Sequence, residues 1–530
     1  MKHLNMKAIT PLILISLAQV PSIFAQLTVQ TTTGIYTGLI DPVFPNVRQF
    51  RAIRYAEPPL GQLRWLPPVP VPPSTQQIFS YTFPPSCTQY LSSTPVVFTA
   101  LLTNFSIPLD GQPVLPGEVA RTSSEDCLFL SLFAPLTATS YSNLPVILFF
   151  PGGAFTIGGI DVPFQNPAPW VERSQSHIVV VANYRLDIAG FPGAAGLLEQ
   201  NLGLLDQRAA LEWVRDNIAP FGGDPTRITL WGHSAGGIGA DMLAHAFPSN
   251  PIAHALFLQS GTAMFNLLRL GGQSEVGTSF SFVARNLGCD FPNDPVAELQ
   301  CMRQIPMNKI MNFAGQYREN GTTPLLPFFF PIPDGRLVFE NYTQSAIQGR
   351  LASIPVLVSA TSNEAASLTF VPADLEEGPN QTDVDALTVL NWVCMASNTT
   401  QERLLAGVTT YRYQYAGNFS SVTPYPWLGA YHASDIPMIM GTFETIGDTA
   451  EVTEFQRQVA YAMQDYLLIF MNDPENGLRR FGWFPYGDQR SSTGGRDLVR
   501  FGSHGIIAQV VDADTVDGAC TMGRVYDSSP

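Results

Sequence analysis

The feature that most constrains the fold is a series of short apolar segments in the central region of the chain. They cover residues 146–150, 178–182 and 228–231, and a helical pattern occupies residues 207–217 between the last two. Continuous apolar strands joined through helices indicate parallel pairing, because each crossover returns the chain to the same end of the sheet. We therefore expect an α/β fold with a mostly parallel central sheet flanked by helices, and reactive groups at the carboxyl ends of its strands.

The composition is that of one compact domain. Of the 530 residues, 45% are apolar and 13% are charged, and no shift in composition divides the chain. The pattern over residues 27–43 predicts a small hairpin, and the proline-rich stretch 67–73 an extended surface connection. The net charge of −15 disfavours nucleic acid and anionic membranes, which are bound through basic patches. Neutral or cationic ligands are easier to accommodate.

The amino terminus has the pattern of a secretory signal peptide. Lys2 and Lys7 precede an apolar run over residues 8–18, and small residues lead to Ala25. The alternative is a membrane anchor, but the run is shorter than the ~20 residues that cross a bilayer. We expect residues 1–25 to be cleaved, residues 26–530 to form a single domain, and the mature protein to be extracellular without a stable membrane anchor.

The cysteines and asparagine sequons fit an extracellular protein. The cysteines are even in number and show no CxxC or Cys/His clustering, so disulfides are favoured over metal and no metal site is expected. They are Cys87, Cys127, Cys289, Cys301, Cys394 and Cys520, which allow fifteen pairings. The N-x-S/T sequons predict glycosylation at Asn104, Asn320, Asn341, Asn380, Asn398 and Asn418.

A nucleophile elbow follows the third apolar segment. Residues 228–231 run into the sequence GHSAGG at 232–237, and small residues then begin a helical pattern. Glycines in G-x-S-x-G allow a tight strand-to-helix turn from which the serine oxygen projects. Ser234 is therefore the candidate nucleophile, the alternative being a glycine-rich turn in which the serine only caps the helix.

A second glycine-containing loop is suited to binding an oxyanion. Residues 145–150 lead into PGGAF at 151–155, where small side chains permit close approach of the backbone. Serine attack on an ester places negative charge on the carbonyl oxygen, which needs N–H donors at about 2.7–3.1 Å. We assign this role to the N–H groups of Gly153, Ala154 and Ala235, although the loop by itself could be only a flexible turn.

The base is sought among seven histidines. In the order serine, acid, histidine of this type of elbow, His432 and His504 remain as candidates. His432 lies in a loop after an alternating strand at 409–415, which suits a base, whereas a surface-loop role is expected for His504. Seryl hydroxyls need such a base, and the base needs an acid to fix its tautomer.

The acid is less well determined by its position in the chain. The apolar strand 354–358 opens into a loop that reaches Glu364, just beyond a strand end. Asp334 and Glu340 are other carboxylates between the serine and His432. Spacing alone places Glu364 only modestly ahead of these two.

The chain closely resembles the type-B carboxylesterases, the group that includes cholinesterases and large fungal lipases. The resemblance covers nearly all of the mature chain and is carried by residues 50–65, 124–130, 151–155, 183–186 and 201–237. It implies the α/β-hydrolase fold, no cofactor, and hydrolysis of small-molecule carboxylic esters through an acyl-enzyme. It implies Ser234 as nucleophile, Glu364 as acid and His432 as base, and it suggests a secreted fungal protein.

The resemblance also favours one disulfide pairing. Together with the order of the cysteines, it joins Cys87 with Cys127 around a flap over the active-site gorge. It joins Cys289 with Cys301 and, with less support, Cys394 with Cys520. The loop between Cys87 and Cys127 contains no tryptophan. Because cholinesterases hold a quaternary ammonium on an aromatic platform, choline esters are not expected to be preferred substrates.

Four residues depart from the family pattern. Pro151 replaces the usual His or Tyr before the glycines of the oxyanion loop, and His233 stands where Glu is common before the nucleophile. Ala365 and Ala433 occupy positions where glycine is common beside the acid and the base. These differences alter the surroundings of the site but retain its three reactive side chains.

Three functions remain open at this point. A carboxylesterase acting on small to medium esters, including a secondary-metabolite ester, is the first. A lipase is the second, with the apolar residues 96–98 and 100–102 as a lid, although we expect them to pack down permanently. A catalytically silent adhesion protein is the third and is disfavoured because such relatives commonly lose the serine. The oligomeric state is not determined by the sequence.

Overall fold

The computed structural model describes residues 27–529 except 95, 103–115, 266–275, 322–327, 447–449 and 521–523. The predicted signal peptide and the sequon at Asn104 lie outside the described residues. The strands are β1 (Thr28–Gln30), β2 (Ile35–Thr37), β3 (Leu39–Asp41), β4 (Phe44–Arg54), β5 (Gln77–Phe79), β6 (Ser86–Cys87), β7 (Tyr90–Leu91), β8 (Glu118–Val119), β9 (Ser123–Ser124), β10 (Phe129–Pro135), β11 (Leu144–Phe150), β12 (Ile178–Ala182), β13 (Gly223–His233), β14 (Ala255–Gln259), β15 (Val356–Thr361), β16 (Thr410–Tyr415), β17 (Asp497–Ser503) and β18 (Ile506–Asp512).

One large sheet organises the described part of the chain. Its strand order is β18-β17-β16-β15-β14-β13-β11-β12-β10-β4-β3. The strands from β12 to β17 pair in parallel, whereas β18, β10, β4 and β3 extend the two edges in antiparallel fashion. The predicted α/β fold with a mostly parallel sheet is confirmed.

Helices cover both faces of this sheet. They are α1 (Val97–Leu101), α2 (Ala168–Ser174), α3 (Asp187–Gly190), α4 (Leu202–Asn217), α5 (Ala235–Ala246), α6 (Thr278–Asn286), α7 (Pro295–Met302), α8 (Met307–Glu319), α9 (Tyr342–Ile347), α10 (Gln381–Thr388), α11 (Cys394–Leu405), α12 (Ile436–Met440), α13 (Glu454–Asn472) and α14 (Asp514–Asp517). No helix within these described stretches is long and apolar enough to cross a membrane.

The two faces of the sheet carry separate hydrophobic cores. Val146 and Leu148 of β11 belong to one core, and Ile147 and Phe149 of the same strand belong to the other. Successive side chains of a strand point to opposite faces, so both faces of β11 are buried. The continuous apolar character of the central segments follows from this two-sided burial.

The strands predicted at 228–231 and 354–358 span Gly223–His233 and Val356–Thr361, and two further elements differ in extent or in burial. The helix predicted at 207–217 begins at Leu202, because the preceding turn also buries apolar side chains. The strand predicted from alternation at 409–415 is buried along its whole length, β16. Its polar residues are accommodated by partners, since Arg412 pairs with Asp517 at 2.8 Å and Gln414 donates to the Tyr526 hydroxyl at 2.9 Å.

Three disulfides connect distant parts of the described chain. They join Cys87 with Cys127, Cys289 with Cys301, and Cys394 with Cys520. These are the pairs that the resemblance implies. Four of the described sequon asparagines have exposed side chains and Asn418 is half-buried; the exposed ones are Asn320, Asn341, Asn380 and Asn398.

Candidate active site

Ser234 lies in a strained turn between β13 and α5. Its backbone has φ +52° and ψ −122°, a conformation that costs a non-glycine residue free energy. A Cβ on Gly232 would lie 2.1 Å from the Gly236 carbonyl oxygen, and one on Gly236 would lie 2.1 Å from the Phe150 carbonyl oxygen. Only glycine permits this turn, which holds Ser234 half-exposed at the carboxyl end of β13.

The predicted oxyanion loop runs beside Ser234. Gly153 and Ala154 have φ values of +119° and +54°, and the Gly153 carbonyl accepts bonds from the N–H groups of the two residues at 156 and 157. A Cβ on Gly152 would lie 2.9 Å from Ser234 Cβ, so the loop passes within contact distance of the serine. Ala235 is the first residue of α5, where an N–H has no acceptor within its own helix.

Glu364 and His432 meet at the ends of two neighbouring parallel strands. Glu364 follows β15 and is fully buried, and His432 lies in a loop after β16. His432 Nδ1 lies 2.5 Å from Glu364 Oε2, while the Thr361 N–H donates to Glu364 Oε1 at 2.8 Å. The carboxylate is thus held on both oxygens and can fix the tautomer and orientation of the imidazole.

The candidate nucleophile and the candidate base both neighbour His233. The rings of His233 and His432 have centroids 4.6 Å apart, and His233 directly precedes Ser234. Among the residues that the structure describes, no hydrogen bond joins the Ser234 hydroxyl to His432. Such bonds are often long or misaligned without substrate and form in the Michaelis complex.

The rival candidates lie elsewhere and have other partners. The Asp334 carboxylate caps a turn by accepting from the N–H groups of Leu337 and Val338 at 2.7 and 3.0 Å. Glu340 is exposed. His504 is exposed in the turn between β17 and β18. The structure therefore brings together Glu364 and His432 and leaves these three outside the site.

Three side chains lie near the candidate base, and two of them, Trp392 and Phe265, were not identified from the sequence. Trp392 packs on His432 with ring centroids 5.5 Å apart, and Phe265 packs on Trp392 at 5.9 Å. His233 is buried, and burial together with the neighbouring His432 holds its pKa well below the usual value. It is therefore neutral at pH 7. The Gly-His-Ser order shows that His233 is close to the serine, but no local pattern indicates Trp392 or Phe265.

A second buried carboxyl lies behind the base. Asp435 is fully buried and accepts a hydrogen bond from the Tyr413 hydroxyl at 3.1 Å. Burial raises its pKa to about 6, and the charge of Glu364 acts in the same direction. In the part of the chain that the structure describes, no hydrogen bond joins the Asp435 carboxyl to the imidazole of His432. Asp435 therefore does not fix the tautomer of this histidine.

The apolar residues of the flap differ in burial: Val97 and Leu102 are buried, Ala100 is exposed, and the other three are half-buried. Val97 and Leu102 are buried in the core that also contains residues of β16, and the Val97 N–H donates to the Thr369 carbonyl at 3.0 Å. Val96 forms an isolated bridge with Phe370. In this conformation the segment closes onto the loop that follows Glu364.

Pro151 and Ala433 depart from the family pattern in different ways. Pro151 is buried, and the Tyr184 hydroxyl donates to its carbonyl at 2.8 Å, a bond that does not depend on the proline side chain. Ala433 has φ +77°, in the left-handed region that favours glycine. The loop after His432 therefore keeps a glycine-like conformation at some cost in free energy.

Comparison with known proteins identifies the family of this chain. The model of the carboxylesterase family matches residues 25–405. The chlorogenic acid esterase of Aspergillus niger is 38% identical over 507 residues, which cover 93% of this chain and 94% of that protein. Secreted lipase 5 of Gibberella zeae is 38% identical over 528 residues, which cover 94% of both chains.

Solved structures show the same architecture. A thermophilic PNB esterase superposes with a TM-score of 0.73 over 92% of this chain and 98% of its own, at 24% identity. At that identity the similarity establishes the fold, which is the α/β-hydrolase fold. The resemblance to the type-B carboxylesterases and lipases is confirmed by the family match and by the two fungal relatives.

Proposed function

Because the chain belongs to the carboxylesterase family and is a carboxylic ester hydrolase, we propose that it cleaves esters through an acyl-enzyme formed on Ser234. The observation that carries the proposal is the buried 2.5 Å contact between His432 Nδ1 and Glu364 Oε2. A histidine oriented in this way presents its other nitrogen, Nε2, as a base.

The reaction proceeds in two halves. His432 Nε2 takes the proton of the Ser234 hydroxyl as the oxygen attacks the ester carbonyl, and it then gives that proton to the leaving alcohol. Water next attacks the acyl-enzyme with the same base, which releases the acid and regenerates the serine. The Glu364 carboxylate stabilises the imidazolium in both halves.

The oxyanion is assigned to three backbone donors. Gly153, Ala154 and Ala235 supply N–H groups beside the serine, and Ala235 adds the positive end of α5. Their contribution is electrostatic and needs no movement of side chains. Because His233 is neutral, it introduces no anionic group that would oppose the developing negative charge.

The substrates are proposed to be small to medium esters in solution. One fungal relative is named a chlorogenic acid esterase and the other a secreted lipase, and this chain is 38% identical to each. Burial of Val97 and Leu102 favours the soluble ester, because an interfacial lid needs apolar side chains that can turn outward. A lipase acting on longer-chain acylglycerols is the alternative.

The protein is proposed to be extracellular. Residues 1–25 are the signal peptide in this proposal, and residues 26–530 form one α/β-hydrolase domain. Three disulfides and the exposed sequon asparagines suit an oxidising compartment with glycosylation.

The proposal is tested by labelling and by kinetics. An organophosphate should label the wild-type enzyme at one residue, and Ser234→Ala should abolish both the label and hydrolysis of a soluble butyrate ester. Ser260→Ala is the matched control, since Ser260 also has φ +52° at a strand end but its side chain is buried. Retention of label and activity in Ser234→Ala would contradict the assignment.

A second experiment on the wild-type enzyme distinguishes an esterase from a lipase. Hydrolysis rates are measured on a butyrate ester at concentrations below and above its solubility limit, and on an emulsified long-chain triglyceride. We expect saturation below that limit and little activity on the emulsion. A sharp rise of activity at the oil surface would instead support the lipase.

A further inference from the structure

One widened helical turn lies between the acid loop and the base. Helix α10, the π-helical turn Val389–Val393 and helix α11 follow one another without a break. The residues at both junctions, Val389 and Cys394, have right-handed helical angles. Residues 381–405 therefore form a single helix with one extra residue in its middle turn. Such turns are rare and occur frequently at functional sites.

The extra residue is visible in the spacing of the buried positions. Along this helix Val384, Thr388, Val393, Ala396 and Thr400 are buried, at separations of four, five, three and four residues. Regular helices repeat a face every three or four residues. The five-residue step keeps the inner face buried on both sides of the turn, and the turn itself bulges between Thr388 and Val393.

The bulge carries Trp392, which contacts the base. The Trp392 ring is half-buried, with its centroid 5.5 Å from that of His432 and 5.9 Å from that of Phe265. Both ends of the bulge are fixed. Thr388 Oγ1 accepts a bond from the N–H of residue 365 at 3.1 Å, and Cys394 forms the disulfide with Cys520.

We propose that Trp392 determines specificity by packing against a flat or aromatic alcohol group of the ester. This inference rests on the proposed function, in which His432 protonates the leaving alcohol. The alcohol oxygen must approach His432 Nε2 to receive its proton, so the alcohol group lies beside that imidazole. Trp392 is the partly exposed aromatic ring on the same imidazole, and aromatic groups stack favourably on such a surface.

The test uses two esters that give the same acyl-enzyme. Benzyl butyrate and ethyl butyrate differ only in the alcohol, so a contact with the alcohol changes acylation and leaves deacylation unaltered. In Trp392→Ala, kcat/KM for benzyl butyrate should fall about 10-fold, the size expected for one aromatic contact, and that for ethyl butyrate less than about 2-fold. Trp392→Phe should retain most of the preference.

The control is Trp427→Ala. Trp427 is also half-buried, and its ring stacks on that of Tyr425 with centroids 5.5 Å apart, but it does not pack on the His432 ring. It should leave the ratio of the two esters unchanged. An equal loss on both esters in Trp392→Ala would indicate a structural role and overturn the proposal, as would no loss on either ester.

The acyl side supplies a second criterion. Ethyl phenylacetate and ethyl butyrate share the alcohol, so a selective loss within this pair would place Trp392 against the acyl group and overturn the proposal. If the wild-type enzyme cleaves these esters and Ser234 is labelled, only the role of Trp392 is at stake. If the wild-type enzyme cleaves none of them, the proposed function itself fails and this inference fails with it.

Discussion

Glu364→Gln tests the central geometry of the site with almost no change in shape. In the wild type, Glu364 Oε1 accepts from the Thr361 N–H at 2.8 Å and Oε2 contacts His432 Nδ1 at 2.5 Å. In the variant, the amide oxygen remains with the Thr361 N–H and the NH₂ group faces Nδ1. The reverse orientation would leave the buried Thr361 N–H facing another donor, which costs about 1–3 kcal/mol.

The consequence is the wrong tautomer of the base. An NH₂ group opposite Nδ1 requires that nitrogen to accept a hydrogen bond, so the proton moves to Nε2, the nitrogen that must take the serine proton. A comparable exchange in a serine protease triad costs about 10⁴-fold in kcat. We therefore expect kcat/KM of Glu364→Gln to fall about 10⁴-fold, or about 5.4 kcal/mol of transition-state stabilisation.

The control is Asp435→Asn, measured on the same soluble butyrate ester. Asp435 is equally buried but contacts Tyr413 rather than the imidazole, and an amide oxygen can accept the same bond from the Tyr413 hydroxyl. We expect a loss below about 10-fold, and circular dichroism should show both variants folded. A loss below 10-fold in Glu364→Gln, or equal losses in the two variants, would refute the reasoning.

Two further predictions concern packing and titration. A Cβ on Gly152 would lie 2.6 Å from His233 Nδ1, so Gly152→Ala should displace the elbow and lower kcat about 100-fold in a steady-state assay; an unchanged kcat would contradict this close packing. Burial raises the pKa of Glu402 from 4.5 to about 7, so the unfolded carboxyl ionises first and the free energy of unfolding should decrease as pH rises through that range. Glu402→Gln should flatten this dependence in urea titrations, and a variant as steep as the wild type would exclude Glu402 as its source.

The loops that follow β11 and β13 could be predicted because each has a local sequence signature. An apolar strand followed by GHSAGG predicts a serine on a tight turn, and one followed by PGGAF predicts a backbone that can approach closely. Both signatures depend on residues within a few positions of each other. The parallel sheet then requires these two loops to lie at the same edge, as β11 and β13 do.

The acid and the aromatic neighbours depend on contacts between distant residues. Glu364 was only slightly favoured over Asp334 and Glu340, since nothing local distinguishes a carboxyl that will meet a histidine. It is the pairing of β15 with β16 that brings its loop to that of His432. Trp392 was missed because its contact with His432 joins residues far apart in the chain and has no local sequence signature.

The three side chains to which we assign the reaction follow β13, β15 and β16, so in this proposal they come together only when these strands have aligned. A misfolded or partly assembled chain would lack the ability to turn over ester, whatever helices it had formed. Hydrolysis of a chromogenic ester can therefore serve as a folding reporter when variants are expressed in a new host. Clones that survive such a screen will be enriched for correct long-range topology rather than for mere solubility.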